Sequence, residues 1–80
     1  MTVAADLAEL ERMISDALPG AEVSVADEGG GDHLRATVIA AQFAGLSRID
    51  QHRLVRAAVK PRMEDGTIHA LSISTKTPGN

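Results

Sequence analysis

Apolar side chains recur at helical spacing near the start of the chain. Leu7, Leu10, Ile14 and Leu18 lie three or four residues apart, and Pro19 follows directly with a glycine. This spacing places the four side chains on one face of an amphipathic helix, and a proline followed by glycine ends such a pattern. The sequence therefore predicts a first helix that stops before Pro19.

Two later segments alternate between apolar and polar positions, as half-buried strands do. The first covers residues 21–27, with Val23 and Val25 on one face, and the second covers residues 33–41. The apolar face of the second segment consists of Leu34, Ala36, Val38 and Ala40. Residues 28–32 include three glycines and are predicted to be a flexible connection, so that the two strands pair as a hairpin.

A second helix is predicted to begin at Ser47. Ser47 and Asp50 have the spacing of a capping box, in which a hydroxyl at the start of the helix binds a backbone N–H one turn further on. When the following residues are projected on a helix, one apolar stripe emerges. Its members are Leu54, Val55, Ala58 and Val59.

Pro61 interrupts this helical pattern, because proline lacks the backbone donor and restricts the residue before it. Two arrangements stay open. The helix ends near Lys60, or a short further helix begins with Pro61 at its first position. Residues 64–66 end this region, and residues 68–78 are predicted to form the last strand.

The predicted order is helix, strand, strand, helix, strand, which is a small α+β arrangement. A strand, a helix and a strand in succession form a crossover unit, and such a unit places its two strands parallel. The 80 residues suffice for one small domain with one core, and residues 1–4 and 78–80 are expected to be flexible termini. Phe43 is the only aromatic residue, so the core is expected to be aliphatic.

The composition excludes several kinds of site. Cysteine is absent, which rules out disulfides, thiolate metal sites and a thiol nucleophile within this chain, so that any sulfur ligand would come from a partner. The first residues lack a basic segment followed by an apolar run, and no apolar stretch approaches the roughly 20 residues of a membrane span. A soluble protein of the cytoplasm is expected.

The net charge of −3 is unevenly distributed along the chain. Up to Asp32, eight acidic residues face Arg12 alone, whereas five basic residues between positions 48 and 62 face only Asp50. We call these five residues the basic region: Arg48, Arg53, Arg56, Lys60 and Arg62. Such a run can attract an acidic partner or the phosphate backbone of a nucleic acid, or it can be an ordinary solvated helix face.

Few side chains offer chemistry, and His69, at the start of the last predicted strand, is the leading candidate. The sequence contains no HExxH motif, no histidine pair one helical turn apart and no carboxylate pair in a catalytic motif. Ser47 is explained as a helix cap, and the three glycines lack the lysine and hydroxyl residue of a P-loop. The chain is therefore not expected to be an enzyme. Tyrosine and tryptophan, which stack on nucleic acid bases, are absent.

Three segments resemble the BolA family, and within it the short bacterial members. These segments are Phe43-Ala44-Gly45-Leu46-Ser47, Gln51-His52-Arg53-Leu54-Val55 and the last predicted strand from Ile68 to Pro78. The likeness extends over about residues 18–78. It implies a three-stranded mixed sheet under helices, similar to a type II KH domain.

The resemblance also implies roles for histidines. BolA-like proteins carry a histidine in the Ile-His-Ala-Leu context of His69, where it ligates the iron of a [2Fe–2S] cluster shared with a monothiol glutaredoxin. His33 occupies the place of a second, more variable ligand, although Leu34 replaces the aromatic residue that follows it in comparable short members. His52 partly matches an Arg-His-Arg motif of the family and ranks third, as a surface or capping contact.

The function implied by the resemblance is an adaptor in iron–sulfur cluster trafficking. The glutaredoxin would contribute its active-site cysteine and bound glutathione, and without this partner the chain is expected to be a monomer or a weak homodimer. Two other functions stay open. One is a nucleic-acid-binding transcriptional regulator that uses the basic region, and the other is a structural, chaperone-like module without a ligand.

Overall fold

A computed structural model describes residues 6–79 of the chain, so the expectation for residues 1–4 and for Asn80 lies outside the described part. The helices and strands follow the predicted order. They are α1 (Leu7–Ala17), β1 (Glu22–Gly29), β2 (His33–Ile39), α2 (Arg48–Ala58), α3 (Lys60–Glu64) and β3 (Ala70–Lys76), with one turn of 3₁₀ helix (Ala41–Phe43) before α2. None of the described helices is long and apolar enough to cross a membrane.

The three strands form one mixed sheet in the order β1-β2-β3. β1 and β2 are antiparallel, with Val25 opposite Ala36, and β2 and β3 are parallel, with Ala36 opposite Ile73. The crossover through α2 thus places β3 parallel to β2, as predicted. The α+β fold with a mixed three-stranded sheet is confirmed.

The core lies between one face of the sheet and the helices. α1 packs against β1, and α2 packs against β3. The predicted apolar face of β2 is confirmed, because Leu34, Ala36 and Val38 are all buried, as is Ala40 after the strand. Phe43 is fully buried, and the rest of the core is aliphatic, as expected.

The predicted apolar stripe of α2 is wrong in one member. Val55 and Val59 are buried, but 39% of Leu54 is exposed. Val55 and Val59 are four residues apart and share the face that meets the sheet, whereas Leu54 is turned by about 100° from Val55 around the helix axis. The face of α2 that contacts the sheet is narrower than the predicted apolar stripe, so Leu54 lies outside this contact.

The connection between β1 and β2 is shorter than predicted. β1 continues to Gly29, which pairs with His33, and the register shifts between Asp27 and Gly29. The Oδ1 atom of Asp27 accepts hydrogen bonds from the backbone N–H groups of Gly29 (2.8 Å) and Gly31 (3.2 Å). Gly31 has φ of +80°, a conformation that glycine adopts readily. This turn, held by Asp27, leads directly into β2.

The last strand starts at Ala70, later than predicted. Ile68 is buried before the strand, and its N–H donates to the carbonyl of Arg62. Of the two arrangements at Pro61, the short further helix is the one observed, but it begins at Lys60, so that Pro61 is its second residue. The position near a helix start suits proline, because the N–H that proline lacks has no partner there.

Candidate functional site

His33 and His69 lie close together at one end of the sheet. β2 begins at His33, β3 begins at Ala70, and these two residues are opposite each other in the parallel pair. Parallel strands start at the same end of a sheet, so the two histidines come together although 36 positions separate them in the sequence. The fold thereby brings together the two histidines that are predicted from the sequence as the first and second candidate ligands.

Asp32 lies between the two imidazoles and contacts both. Its Oδ2 atom is 2.6 Å from Nδ1 of His69, and its Oδ1 atom is 3.7 Å from Nε2 of His33. The side chains of His69 and His33 are 69% and 61% exposed, against 36% for Asp32. The carboxylate therefore forms the floor of the site, and both rings are open to a partner.

The backbone around Asp32 fixes this arrangement. The Asp32 carbonyl accepts hydrogen bonds from the N–H groups of His69 (2.9 Å) and Ala70 (3.2 Å), which join the hairpin turn to the start of β3. Asp27 holds the other side of the turn. The three side chains of the site are thus carried by hydrogen-bonded backbone.

The electrostatics of Asp32 determine which nitrogen of His69 is free. The hydrogen bond with His69 is the main reason that the pKa of Asp32 lies below its usual range; desolvation opposes this shift, and the charge that His33 can carry supports it. An ionised carboxylate can only accept, so Nδ1 of His69 carries the hydrogen. The Nε2 lone pair of a neutral His69 is then available to a metal, as in histidine ligands held by a carboxylate.

Asp32 was not singled out in the sequence. Its position next to His33 was visible, but its contact with His69 depends on the pairing of β2 with β3, which brings distant residues together. A carboxylate that directly precedes a candidate histidine ligand, at a tight turn, is the signal that could have identified it.

The donor set fits iron in part. Imidazole nitrogen is a suitable ligand for iron, and histidine replaces cysteine on one iron of some [2Fe–2S] clusters. Within residues 6–79, no group of three or more histidine or acidic side chains is placed to hold a metal ion. His33 and His69 could thus contribute two nitrogen ligands, and the remaining ligands would come from a partner.

His52 is not part of this site. It is half-buried on α2 and lines a groove against β3 with Ile73 and Ser74. The structure thus separates the third-ranked histidine from the other two.

The basic region does not form one free positive face. Arg62 belongs to α3 and makes a two-pronged ion pair with Glu9 on α1, with both N–O distances at 2.9 Å. Glu9 is also the main reason that the pKa of Arg62 is raised above its usual value. Three of the five cations, Arg48, Arg53 and Arg56, lie on α2, whereas Lys60 and Arg62 belong to α3 and Arg62 holds α3 to α1.

Two further cations of the basic region are near acids on their own helix. Arg53 is 3.4 Å from Asp50, and Lys60 is 4.0 Å from Glu64. Arg48 and Arg56 make no ion pair within the described part of the chain. The basic region accordingly offers less free positive charge than the sequence suggests.

Comparison with known proteins relates both the sequence and the fold to one family. The sequence profile of the family described as BolA-like protein matches residues 14–80. A BolA-like protein of Dictyostelium discoideum is 41% identical over 51 residues, which make up 64% of this chain and 45% of that protein. The chain spans about half or less of the length of several curated relatives that it matches.

Solved structures agree with this relationship. The structure of a BolA homologue from Coxiella burnetii is 35% identical, with a TM-score of 0.76 and 92% of each chain covered. The BolA domain of SufE1 from Arabidopsis thaliana is 26% identical, with a TM-score of 0.80 and 95% of each chain covered. The second structure is of one domain of SufE1, so this kind of domain also occurs as part of a longer protein.

Proposed function

This chain belongs to the BolA family, and from that premise we propose that it is the partner of a monothiol glutaredoxin with which it holds a [2Fe–2S] cluster. In this proposal the chain is a binding protein and not an enzyme. The cluster is cargo for assembly or trafficking, or a signal of iron and redox state. The pair of proteins, and neither one alone, forms the complete site.

The observation that carries the proposal is the convergence of His33 and His69 on the Asp32 carboxylate. Both rings are exposed, so a second protein can approach them. His69 is the main ligand, because Asp32 engages its Nδ1 atom at 2.6 Å and leaves the Nε2 atom available to a metal. His33 is the second ligand, and its longer 3.7 Å contact with Asp32 leaves its ring less constrained.

The remaining ligands are sulfur atoms of the partner side. The 80 residues contain no cysteine, so the thiolates come from the glutaredoxin cysteine and its bound glutathione. When bound, the cluster supplies iron that accepts imidazole nitrogen, and mixed nitrogen and sulfur ligation raises its reduction potential. The work of this chain is to present two imidazoles to the cluster, with the ring of His69 oriented by Asp32.

A nucleic-acid-binding regulator is the weaker candidate. Arg48 and Arg56 are cations without an ion pair in the described part of the chain, and they support some attraction to phosphate. Ion pairs engage Arg53, Lys60 and Arg62, and no tyrosine or tryptophan is present to stack on bases.

Anaerobic reconstitution tests the proposal. The chain is mixed with a monothiol glutaredoxin, glutathione, ferric iron and a sulfide source, and the complex is isolated by size exclusion. We expect a red-brown heterodimer with two irons and two sulfides. His69→Ala should release the cluster faster, whereas His52→Ala, a histidine outside the site, should behave as the unchanged chain. A colourless mixture, or equal cluster retention in both variants, would contradict the proposal.

A further inference from the structure

The two edges of the sheet differ in how they are protected. At the β1 edge, the Glu11 side chain of α1 reaches over the strand, and its Oε2 atom accepts the hydrogen bond of the Val25 N–H at 2.9 Å. The irregular register between Asp27 and Gly29 further disrupts this edge. Covering side chains and bulges are two ways in which proteins prevent a further strand from pairing with an edge.

The β3 edge has no such protection. The Ala70 N–H donates to the Asp32 carbonyl, and the Lys76 carbonyl accepts from the Ala40 N–H. In a parallel ladder the groups of alternate residues point to the same neighbour, so positions 70, 72, 74 and 76 point to β2. The N–H and C=O groups of Leu71, Ile73 and Thr75 therefore point away from the sheet. Within residues 6–79, these groups form no backbone hydrogen bond to another element.

A polar groove runs beside this free edge, between β3 and α2. Two adjoining hollows of about 420 and 320 Å³ share Arg48, Thr75 and Lys76 as lining residues. Neither Arg48 nor Lys76 has a carboxylate partner in the described part of the chain, and no acidic residue lines either hollow. The groove therefore carries free positive charge on a chain whose net charge is −3.

We propose that the β3 edge is a docking site for an extended, acidic segment of a partner protein, which adds a fourth strand to the sheet. The outward groups of Leu71, Ile73 and Thr75 supply the main-chain hydrogen bonds of strand addition. Arg48 and Lys76 select carboxylate side chains, because charge-assisted hydrogen bonds are stronger than neutral ones. Since β3 begins directly after His69, a docked strand passes the candidate cluster site. The proposal does not depend on cluster binding, and it stands on the free edge and the cations.

Amide hydrogen exchange of the nitrogen-15-labelled chain tests the docking site residue by residue. The probe is a synthetic peptide of about eight residues, which is within the usual range of strand lengths, with alternating threonine and glutamate. In the free chain, the amides of Leu71, Ile73 and Thr75 should exchange fast, and those of Ser72 and Ser74 slowly. Saturating peptide should slow exchange at the three outward amides by about tenfold or more, since bound amides are protected in proportion to occupancy.

Two controls make the result specific. A peptide of alternating threonine and lysine should give no slowing, because its charges oppose Arg48 and Lys76. The double variant Arg48→Glu and Lys76→Glu should lose the response to the glutamate peptide, whereas Lys60→Glu, on α3, should retain it. The proposal is overturned if the outward amides are already protected in the free chain, if millimolar glutamate peptide leaves their exchange unchanged, or if the lysine peptide slows them equally.

Discussion

Asp32 is the residue that turns two exposed histidines into an ordered site. A free imidazole exchanges between two tautomers, and either nitrogen can then present a lone pair. The carboxylate of Asp32 accepts from Nδ1 of His69 and thereby selects one tautomer and one ring orientation. A carboxylate behind a histidine ligand has the same effect in many metal sites.

Replacing Asp32 by asparagine tests this role. An amide can donate or accept, so the Asp32→Asn chain should lose the preference for hydrogen on Nδ1 of His69. Nitrogen-15 spectra of the histidine rings in the free chain should show this loss without any cluster present. In the complex, cluster retention should weaken about 10-fold or more. Asp50→Asn, which affects only the exposed pair with Arg53, is the matched control and should leave both unchanged.

The two histidines should differ in importance. His69→Ala should change the visible circular dichroism of the shared cluster and make it more labile, without unfolding the chain, because the ring is exposed and contributes little packing. His33→Ala should have a smaller effect and leave affinity for the glutaredoxin nearly unchanged. If His33→Ala prevented assembly and His69→Ala did not, the ranking of the two ligands would be reversed.

At the scale of single elements, apolar periodicity predicted α1, β1, β2 and their pairing as a hairpin, but not the ends of the strands, because β1 continues to Gly29 and β2 ends at Ile39. It could not give the start of β3 or the exposure of Leu54, because both depend on tertiary contacts. Ile68 is buried in the core, and its N–H donates to the Arg62 carbonyl, so it does not pair with β2. The strand begins at Ala70, whose N–H donates to the Asp32 carbonyl. The same pairing of distant strands brings Asp32 to His69. Both histidines were found by family resemblance, but their common carboxylate was not.

The predicted cap of α2 gives a test at this scale. The Ser47 hydroxyl accepts from the Asp50 N–H at 3.1 Å, and removing such a cap costs about 1 kcal/mol of stability. Urea unfolding of Ser47→Ala should show this loss, whereas Ser72→Ala, at an exposed strand position, should change stability little. The cluster spectra should be unaffected, because the start of α2 lies beside Thr75, at the opposite end of β3 from His69. A loss of cluster binding in a folded Ser47→Ala chain would contradict this separation.

At the scale of the whole molecule, the acidic first third of the sequence and the basic region contact each other. Glu9 in the acidic first third pairs with Arg62 from the basic region, and this contact joins α1 to α3. The negative and positive segments thus partly neutralise each other. Arg48, Arg56 and Lys76 are among the cations that have no ion pair within residues 6–79.

The Glu9–Arg62 pair predicts a dependence of stability on pH. The hydrogen bond with Arg62 is the main cause that holds the pKa of Glu9 below its usual value. A carboxylate whose pKa is lower in the folded state stabilises that state above its unfolded pKa. This contribution is lost as the pH falls through the folded pKa. Stability should therefore decline from about pH 5 downwards, and less steeply in Arg62→Met. Urea unfolding at several pH values measures how the free energy of unfolding changes with pH in the unchanged chain and in Arg62→Met. The same dependence in both chains would show that the pair does not contribute to stability.

Nucleic acid binding should be weak and strongly dependent on salt. Only part of the basic region is free of ion pairs, and non-specific binding of this kind has dissociation constants of about 10⁻⁴ to 10⁻⁶ M at physiological salt. Replacing Arg48 and Arg56, the two cations of the basic region without an ion pair in residues 6–79, with alanine should weaken it most and spare cluster binding. Fluorescence anisotropy with labelled DNA measures the affinity. Sequence-specific binding tighter than about 10⁻⁸ M would instead support the regulator.

The most direct test of the central claim is to detect histidine nitrogen bound to iron. The chain is labelled with nitrogen-15 only in histidine and combined with unlabelled glutaredoxin and cluster, and the reduced complex is examined by electron–nuclear double resonance. The unpaired electron of the reduced cluster is partly delocalised onto a nitrogen that ligates iron. We therefore predict strong hyperfine couplings to nitrogen-15 in the complex. One coupling should disappear in His69→Ala, and all should remain in His52→Ala. A reduced cluster without strong nitrogen-15 coupling, or with couplings unchanged in His69→Ala, would contradict the assignment of His69 as a ligand.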